Sequence, residues 1–151
     1  MTKILFICHG NICRSPMAEF VMKEMVKSRG VSDEFYIASA ATSTEEINNP
    51  VYPGTRKRLA KEGISVAGKY AVQITRADYE KYDYLLAMDS RNIANMMRIF
   101  GSDPDNKICR LLDLTDKPRD IIDPWPCGDY DKTYDDVLEG CTALLKKIYA
   151  Q

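Results

Sequence analysis

The chain has 151 residues, 45% hydrophobic and 28% charged, with a formal net charge of -1. That size suits one domain over 1–151 with a sizeable core, and the balance excludes both the basic footprint of a nucleic-acid binder and the composition of a disordered acidic chain. No apolar run approaches the ~20 residues of a membrane span, and the one in "MTKILFIC" is too short for a signal peptide, so a cytoplasmic protein with neither nucleic acid nor membrane as partner is expected.

In chain order, "KILFI" (3–7) reads as a buried strand, being a nearly continuous apolar run. A helix over Pro16–Arg29 follows, with Met17, Phe20, Val21, Met25 and Val26 at helical spacing and Gly30 as its stop. A second strand is expected at 34–39, then an irregular stretch over 40–54 and a short helix over Thr55–Glu62 that stops at Gly63. A third strand at 83–88 leads through Asp89, a good N-cap residue, into a helix over Ser90–Phe100 with Ile93, Met96, Met97 and Phe100 as its stripe. A fourth strand at 107–112 precedes a long proline-containing loop, 113–133. The last helix, about Tyr134 to Tyr149, carries Val137, Leu138, Cys141, Leu144, Leu145 and Ile148 on one stripe.

Strands alternating with helices predict an α/β fold: a four-stranded parallel sheet with helices on both faces and right-handed crossovers. In such sheets a ligand sits beyond the carboxyl ends of the strands, which singles out the loop after the first strand. Loops as long as 40–54 and 113–133 also tend to be functional.

The five cysteines are an odd number in a chain able to build a core without disulfides, so a disulfide scaffold is disfavoured. Zinc is disfavoured too, because no C-x2-C pair occurs and the one histidine, His9, lies inside the first loop. Cys109 and Cys141 fall in apolar patterns and read as small buried hydrophobes. Cys8 and Cys13 flank the loop "CHGNICRS" and need another account.

If Cys8 ends a strand and Ser15-Pro16 opens a helix, the residues between them, His9, Gly10, Asn11, Ile12, Cys13 and Arg14, curl around a point where backbone N–H groups meet the positive end of the helix. Such a nest binds phosphate, vanadate or another tetrahedral oxyanion. Gly10 and Asn11 tolerate the positive φ that a tight curl demands. Arg14 can place its guanidinium fork over two ligand oxygens. The same dipoles and the arginine favour Cys8 as a thiolate, poised in line with bound phosphorus. Ser15 can hydrogen-bond the sulfur, the Asn11 side chain can tie the loop's backbone, and His9 is expected to point outward.

A departing aryl or alkyl oxygen needs a proton, so an acid is expected on a loop over the site. Asp123 in "RDIIDPWPCGDYD" is the candidate, with Asp120 and Asp129 as rivals. Trp125, stiffened by a proline on either side, can form one wall of a slot for an aromatic ring.

The segments "CHGNICRSP", "SAATS", "NNPVYPGTRKRLAKEGI", "ITRADYEKYDYLLAMDSRN" and "DPWPCGD" together resemble the low-molecular-weight protein tyrosine phosphatases over nearly the whole chain. The resemblance implies hydrolysis of phosphotyrosine in proteins or peptides, and of small aryl phosphates, through a phosphocysteine, with no metal or organic cofactor. It makes Cys8 the nucleophile, Arg14 the phosphate clamp and Asp123 the general acid and base. Asn11, Ser15 and Ser39 become the network that shapes the loop, and Asp89 a structural cap near the site.

Departures from the family pattern carry information. Glu45 stands about where the family commonly has an aromatic residue lining the slot, so Glu45 and Glu46 predict a preference for phosphotyrosine peptides with basic neighbours. A histidine often found before the third strand is absent from "VAGKYAVQ", which puts part of the loop bracing in question. "DPWPCGD" lacks the tandem tyrosines through which some members are regulated, and its Cys127 is read as an incidental exposed thiol. Cys13 is either a partner that traps oxidised Cys8 as a disulfide or a residue that packs under the loop.

Two competing functions share this loop. An arsenate reductase of related fold would relay oxidation through cysteines after the third strand, where "LLAMDSRNIANMMRIF" has none. A phosphoryl-carrier domain would hold phosphate on Cys8 for a partner and would have no use for an acid beside the leaving group.

Overall fold

The computed structural model describes residues 1–150. Four strands, β1 (Thr2–Cys8), β2 (Phe35–Ala41), β3 (Tyr84–Ala87) and β4 (Ile108–Arg110), form one parallel sheet in the order β2-β1-β3-β4. The helices are α1 (Arg14–Ser28), α2 (Pro53–Ala60), α3 (Asp78–Lys81), α4 (Ser90–Phe100), α5 (Pro124–Cys127) and α6 (Tyr130–Tyr149).

β1 explains why its apolar run is continuous. Successive side chains leave opposite faces of a strand, and here both faces are covered. Ile4, Phe6 and Cys8 enter a core shared with Met17 and Met22 of α1 and Leu144 and Leu145 of α6. Leu5 and Ile7 enter a second core with Met96 and Phe100 of α4 and Tyr79 of α3.

The chain leaves β1 for β2 on one side and reaches β3 on the other, so the switch point of the sheet lies between β1 and β3. The Met88 N–H donates to the Ile7 carbonyl at 3.1 Å, and the Thr42 N–H to the Cys8 carbonyl at 3.0 Å. Three loops therefore leave the sheet side by side at its carboxyl edge, around Cys8.

Several boundaries differ from the sequence reading. α1 begins at Arg14 rather than Pro16, which draws Arg14 and Ser15 into its first turn. α2 begins at Pro53, whose fixed φ suits a helix start, and ends at Ala60 rather than Glu62. β4 stops at Arg110; Leu111–Leu114 turn into a 3-10 helix that buries Leu111 and Leu112. The 113–133 stretch is not structureless: it holds α5 and the first turn of α6, which starts at Tyr130 because the Asp129 carboxylate accepts from the Lys132 N–H. Leu138 leaves the apolar stripe of α6 and is exposed, and Cys109 is only half-buried, unlike fully buried Cys141.

Candidate functional site

Cys8 is the last residue of β1 and the start of the curl. Its Sγ lies 3.0 Å from Ser15 Oγ and receives the Asn11 backbone N–H at 3.3 Å. Asn11 sits at φ 59°, the left-handed region that the curl requires. Gly10 does not, which corrects the expectation that both residues supply positive φ. Space at position 10 is tight rather than forbidden, since a Cβ there would stand 3.3 Å from Cγ of the exposed Glu46 side chain.

The Asn11 side chain does the tying expected of it. Its Nδ2 donates to Ser15 Oγ at 2.8 Å and to Ser39 Oγ at 2.9 Å, while its Oδ1 accepts the Val72 N–H at 3.2 Å. The chain of bonds continues, since Ser39 Oγ donates to Glu19 Oε1 at 2.6 Å. Glu19 is 4% exposed and pairs with Lys23 at 2.5 Å and Lys69 at 3.8 Å; Lys69 also donates to the Ser39 carbonyl at 2.9 Å. Lys69 therefore braces the loop from the segment that lacks the family's histidine. Burial pulls its pKa down, and Glu19 opposes that only in part.

Part of the proton order follows from these bonds. Ser39 spends its hydroxyl hydrogen on the Glu19 carboxylate, so it accepts from Asn11. Ser15 also accepts from Asn11, which leaves its own hydrogen free to point at the Cys8 sulfur 3.0 Å away.

Arg14 is 3% exposed. Its Nη1 donates to Asp89 Oδ2 and to the Ile121 carbonyl, both at 2.7 Å, which fixes the guanidinium plane. Burial alone would lower its pKa, but the charge at Cys8 and the bond to Asp89 outweigh it and raise the pKa. Asp89 also caps α4: its Oδ1 accepts the Asn92 N–H at 2.8 Å, and Asn92 Oδ1 accepts the Asp89 N–H at 3.1 Å. One carboxylate thereby ties the carboxyl end of β3 to the arginine.

Asp123 and Trp125 come over the loop from the other side. Asp123 accepts the Trp125 N–H at 3.0 Å and so caps α5, a single helical turn that presents both side chains. With Cys8, Cys13 and Arg14 they line a cavity of about 230 Å3. Glu45 and Glu46 line it too, Glu45 bound at 3.0 Å to the outward-pointing His9 and Glu46 at 2.5 Å to Asn49. The rival carboxylates are committed elsewhere: Asp120 to Ser90 and Arg110, Asp129 to the start of α6. Cys13 faces the same cavity, with its thiol pushed up to about 12 by burial first and by the negative charge at Cys8 next.

Glu19, Lys69 and Ile121 were not singled out from the sequence. Glu19 carried a usable signal, a charged residue one turn after Ser15 among the apolar positions of α1. Lys69 and the Ile121 carbonyl carried none, because their parts depend on chain segments meeting in space.

A thiol at the carboxyl edge of a parallel sheet, a curled loop at a helix start, a buried arginine and a carboxylate overhead make a site whose geometry suits a tetrahedral oxyanion beside a cysteine. Comparison with known proteins narrows the reading. A family model described as low molecular weight phosphotyrosine protein phosphatase matches residues 3–151. The low molecular weight protein-tyrosine-phosphatase YfkJ of Bacillus subtilis is 35% identical over 150 residues, 98% of this chain and 96% of that protein. The low molecular weight phosphotyrosine protein phosphatase of Rattus norvegicus is 38% identical over 151 residues, 97% of this chain and 95% of that protein. The crystal structure of YfkJ superposes with a TM-score of 0.95, covering 99% of this chain and 96% of that one. The chain belongs to the low molecular weight phosphotyrosine protein phosphatases, hydrolases of phosphoric monoesters.

Proposed function

We propose that the protein hydrolyses phosphotyrosine in proteins or peptides, and small aryl phosphates, in two steps at Cys8. The observation that carries this reading is Cys8 Sγ beside Ser15 Oγ and the Asn11 N–H, in a cavity that Arg14 and Asp123 also line. In the first step the thiolate attacks phosphorus while the loop amides and Arg14 hold the non-bridging oxygens. The P–O bond to the phenol breaks, and Asp123 gives its proton to the leaving oxygen. In the second step Asp123 takes a proton from water as that water attacks the phosphocysteine. The P–S bond breaks, the electron pair returns to sulfur, and Ser15 stabilises the departing thiolate.

Glu45 and Glu46 at the cavity mouth favour basic residues next to the phosphotyrosine, which equal turnover of acidic and basic peptides would contradict. Cys13, facing the same cavity, is the candidate partner for a Cys8 sulfenic acid, forming a disulfide and releasing water. Full recovery of peroxide-treated Cys13→Ser by dithiothreitol, equal to that of the parent, would count against this protection.

The test of the reaction is turnover of p-nitrophenyl phosphate without added metal. Cys8→Ser should abolish it, and Asp123→Ala should slow it about 10²-fold or more. A phosphoryl carrier would be almost indifferent to the second change. Activity that survives Cys8→Ser would overturn the scheme.

A further inference from the structure

A second and larger cleft, about 820 Å3, holds no nucleophile and is used by no step above. It shares Ile12 and Glu46 with the cavity over Cys8, so the two meet across those side chains. Arg56 and Ala60, one turn apart on α2, form one wall; Ile64, Val66 and Tyr70 form another. Each wall is tied to a neighbour, the α2 side to the phosphate loop and the 64–70 side to the 49–50 segment. The Tyr52 N–H donates to the Ile12 carbonyl at 2.9 Å, the Ala71 N–H to the Asn49 carbonyl at 2.8 Å, and Pro50 pairs antiparallel with Tyr70.

Tyr70, which lines the cleft, is 55% exposed, and Ile47 and Val72 on the adjoining segments are 41% and 48% exposed. Exposed apolar surface gathered around a concave site marks a binding face. The small cavity has room for an aromatic phosphate but not for the chain that carries it. That chain must leave across the rim, and Ile12 and Glu46 on that rim also line the larger cleft.

We infer that this cleft receives the extended polypeptide on one side of a substrate phosphotyrosine, with an apolar side chain seated between α2 and the 64–70 segment. The inference rests on the phosphotyrosine reading of the Cys8 site. The occupant is a peptide because the cleft adjoins the Cys8 cavity at Ile12 and Glu46, where the chain flanking a seated phosphotyrosine must emerge. Arg56, exposed on the wall and in no ion pair among the described residues, suits an acidic residue of that peptide.

The test compares p-nitrophenyl phosphate with a series of phosphotyrosine peptides carrying Leu or Ala at each position from two to five residues on either side. Ala60→Trp and Ala67→Trp fill the cleft from two different walls at exposed positions, so that a folding defect in one leaves the other to report. The parent should prefer Leu by about tenfold in kcat/KM at one or more positions, and each variant should erase that preference while keeping p-nitrophenyl phosphate turnover within about twofold. No Leu preference in the parent, or a preference untouched by both variants, would overturn the inference with the phosphatase reading intact. Absence of p-nitrophenyl phosphate turnover in the parent would overturn that reading, and this one with it.

Discussion

A chain of hydrogen bonds from Glu19 through Ser39 and Asn11 to Ser15 ties the loop to residues that do not line its cavity. Ser15→Ala removes the hydroxyl beside the sulfur, and is expected to lower kcat for p-nitrophenyl phosphate about 10²-fold with KM little changed, as loss of a preorganised donor does. Lys69 acts at the far end of the chain. Lys69→Met should leave the Glu19 carboxylate and the Ser39 carbonyl under-satisfied and cost about 1–3 kcal/mol in urea unfolding, with Lys69→Arg restoring most of it. Equal stability of Lys69→Met and the parent would show that Lys23 alone suffices for Glu19. The residues to which the proposed reaction gives a part, Cys8, Arg14, Asn11, Ser15 and Asp123, could be picked from the sequence because the loop after β1 and the Asp-Pro segment offer the groups such a reaction needs, and the structure gathers them around one cavity. The brace was not. Whether Glu19 and Lys69 meet depends on α1 lying across β2 from the segment that carries Lys69, and neither residue's type announces that meeting.

At the scale of elements, the sheet and main helices followed from apolar periodicity, while their ends were set by side chains outside the periodic run. α1 begins at Arg14, one residue ahead of the Ser15-Pro16 start that the sequence suggests, and both Arg14 and Ser15 are buried there. α6 gains a turn because Asp129 caps it, and that turn brings Tyr130 against Cys13 and stacks it on Tyr52 with ring centroids 6.4 Å apart. Close packing of α6 carries a direct test. Gly140 is buried where a Cβ would stand 2.4 Å from Leu111 Cγ, on the 3-10 turn that follows β4. Gly140→Ala should therefore destabilise the fold by about 1–3 kcal/mol through overpacking, although alanine is the better helix former. The double variant with Leu111→Ala should recover part of the loss if the clash is the cause, and thermal unfolding of both reads the result.

For the whole molecule, two carboxylates that pin loops at the edges of the sheet are expected to contribute to the loss of stability in acid. Asp103 accepts the Tyr79 hydroxyl at 2.6 Å and the Lys107 and Ile108 N–H groups; Asp120 accepts from Ser90 and Arg110. Burial would raise both pKa values, but these bonds outweigh it and lower them. The unfolded chain then binds more protons than the folded one between the two pKa values. This stabilisation is present above the ordinary aspartate value of about 4 and is lost as pH falls through the folded-state value. Asp103→Asn and Asp120→Asn should each flatten the fall in urea midpoint below about pH 4; an unchanged slope would contradict this assignment. The Asp103 loop lies at the start of β4, whereas Asp120 binds Ser90 just past β3, at the carboxyl edge that carries the candidate site; the central proposal is that hydrolysis there passes through a covalent bond to Cys8. Mixing the enzyme with p-nitrophenyl phosphate, quenching rapidly in denaturant and mapping the protein by mass spectrometry tests it most directly. The account predicts a phosphoryl group on the peptide containing Cys8, formed as fast as p-nitrophenol is released and absent from Cys8→Ser. Steady turnover with no adduct at any time, or with the adduct on another residue, would contradict it.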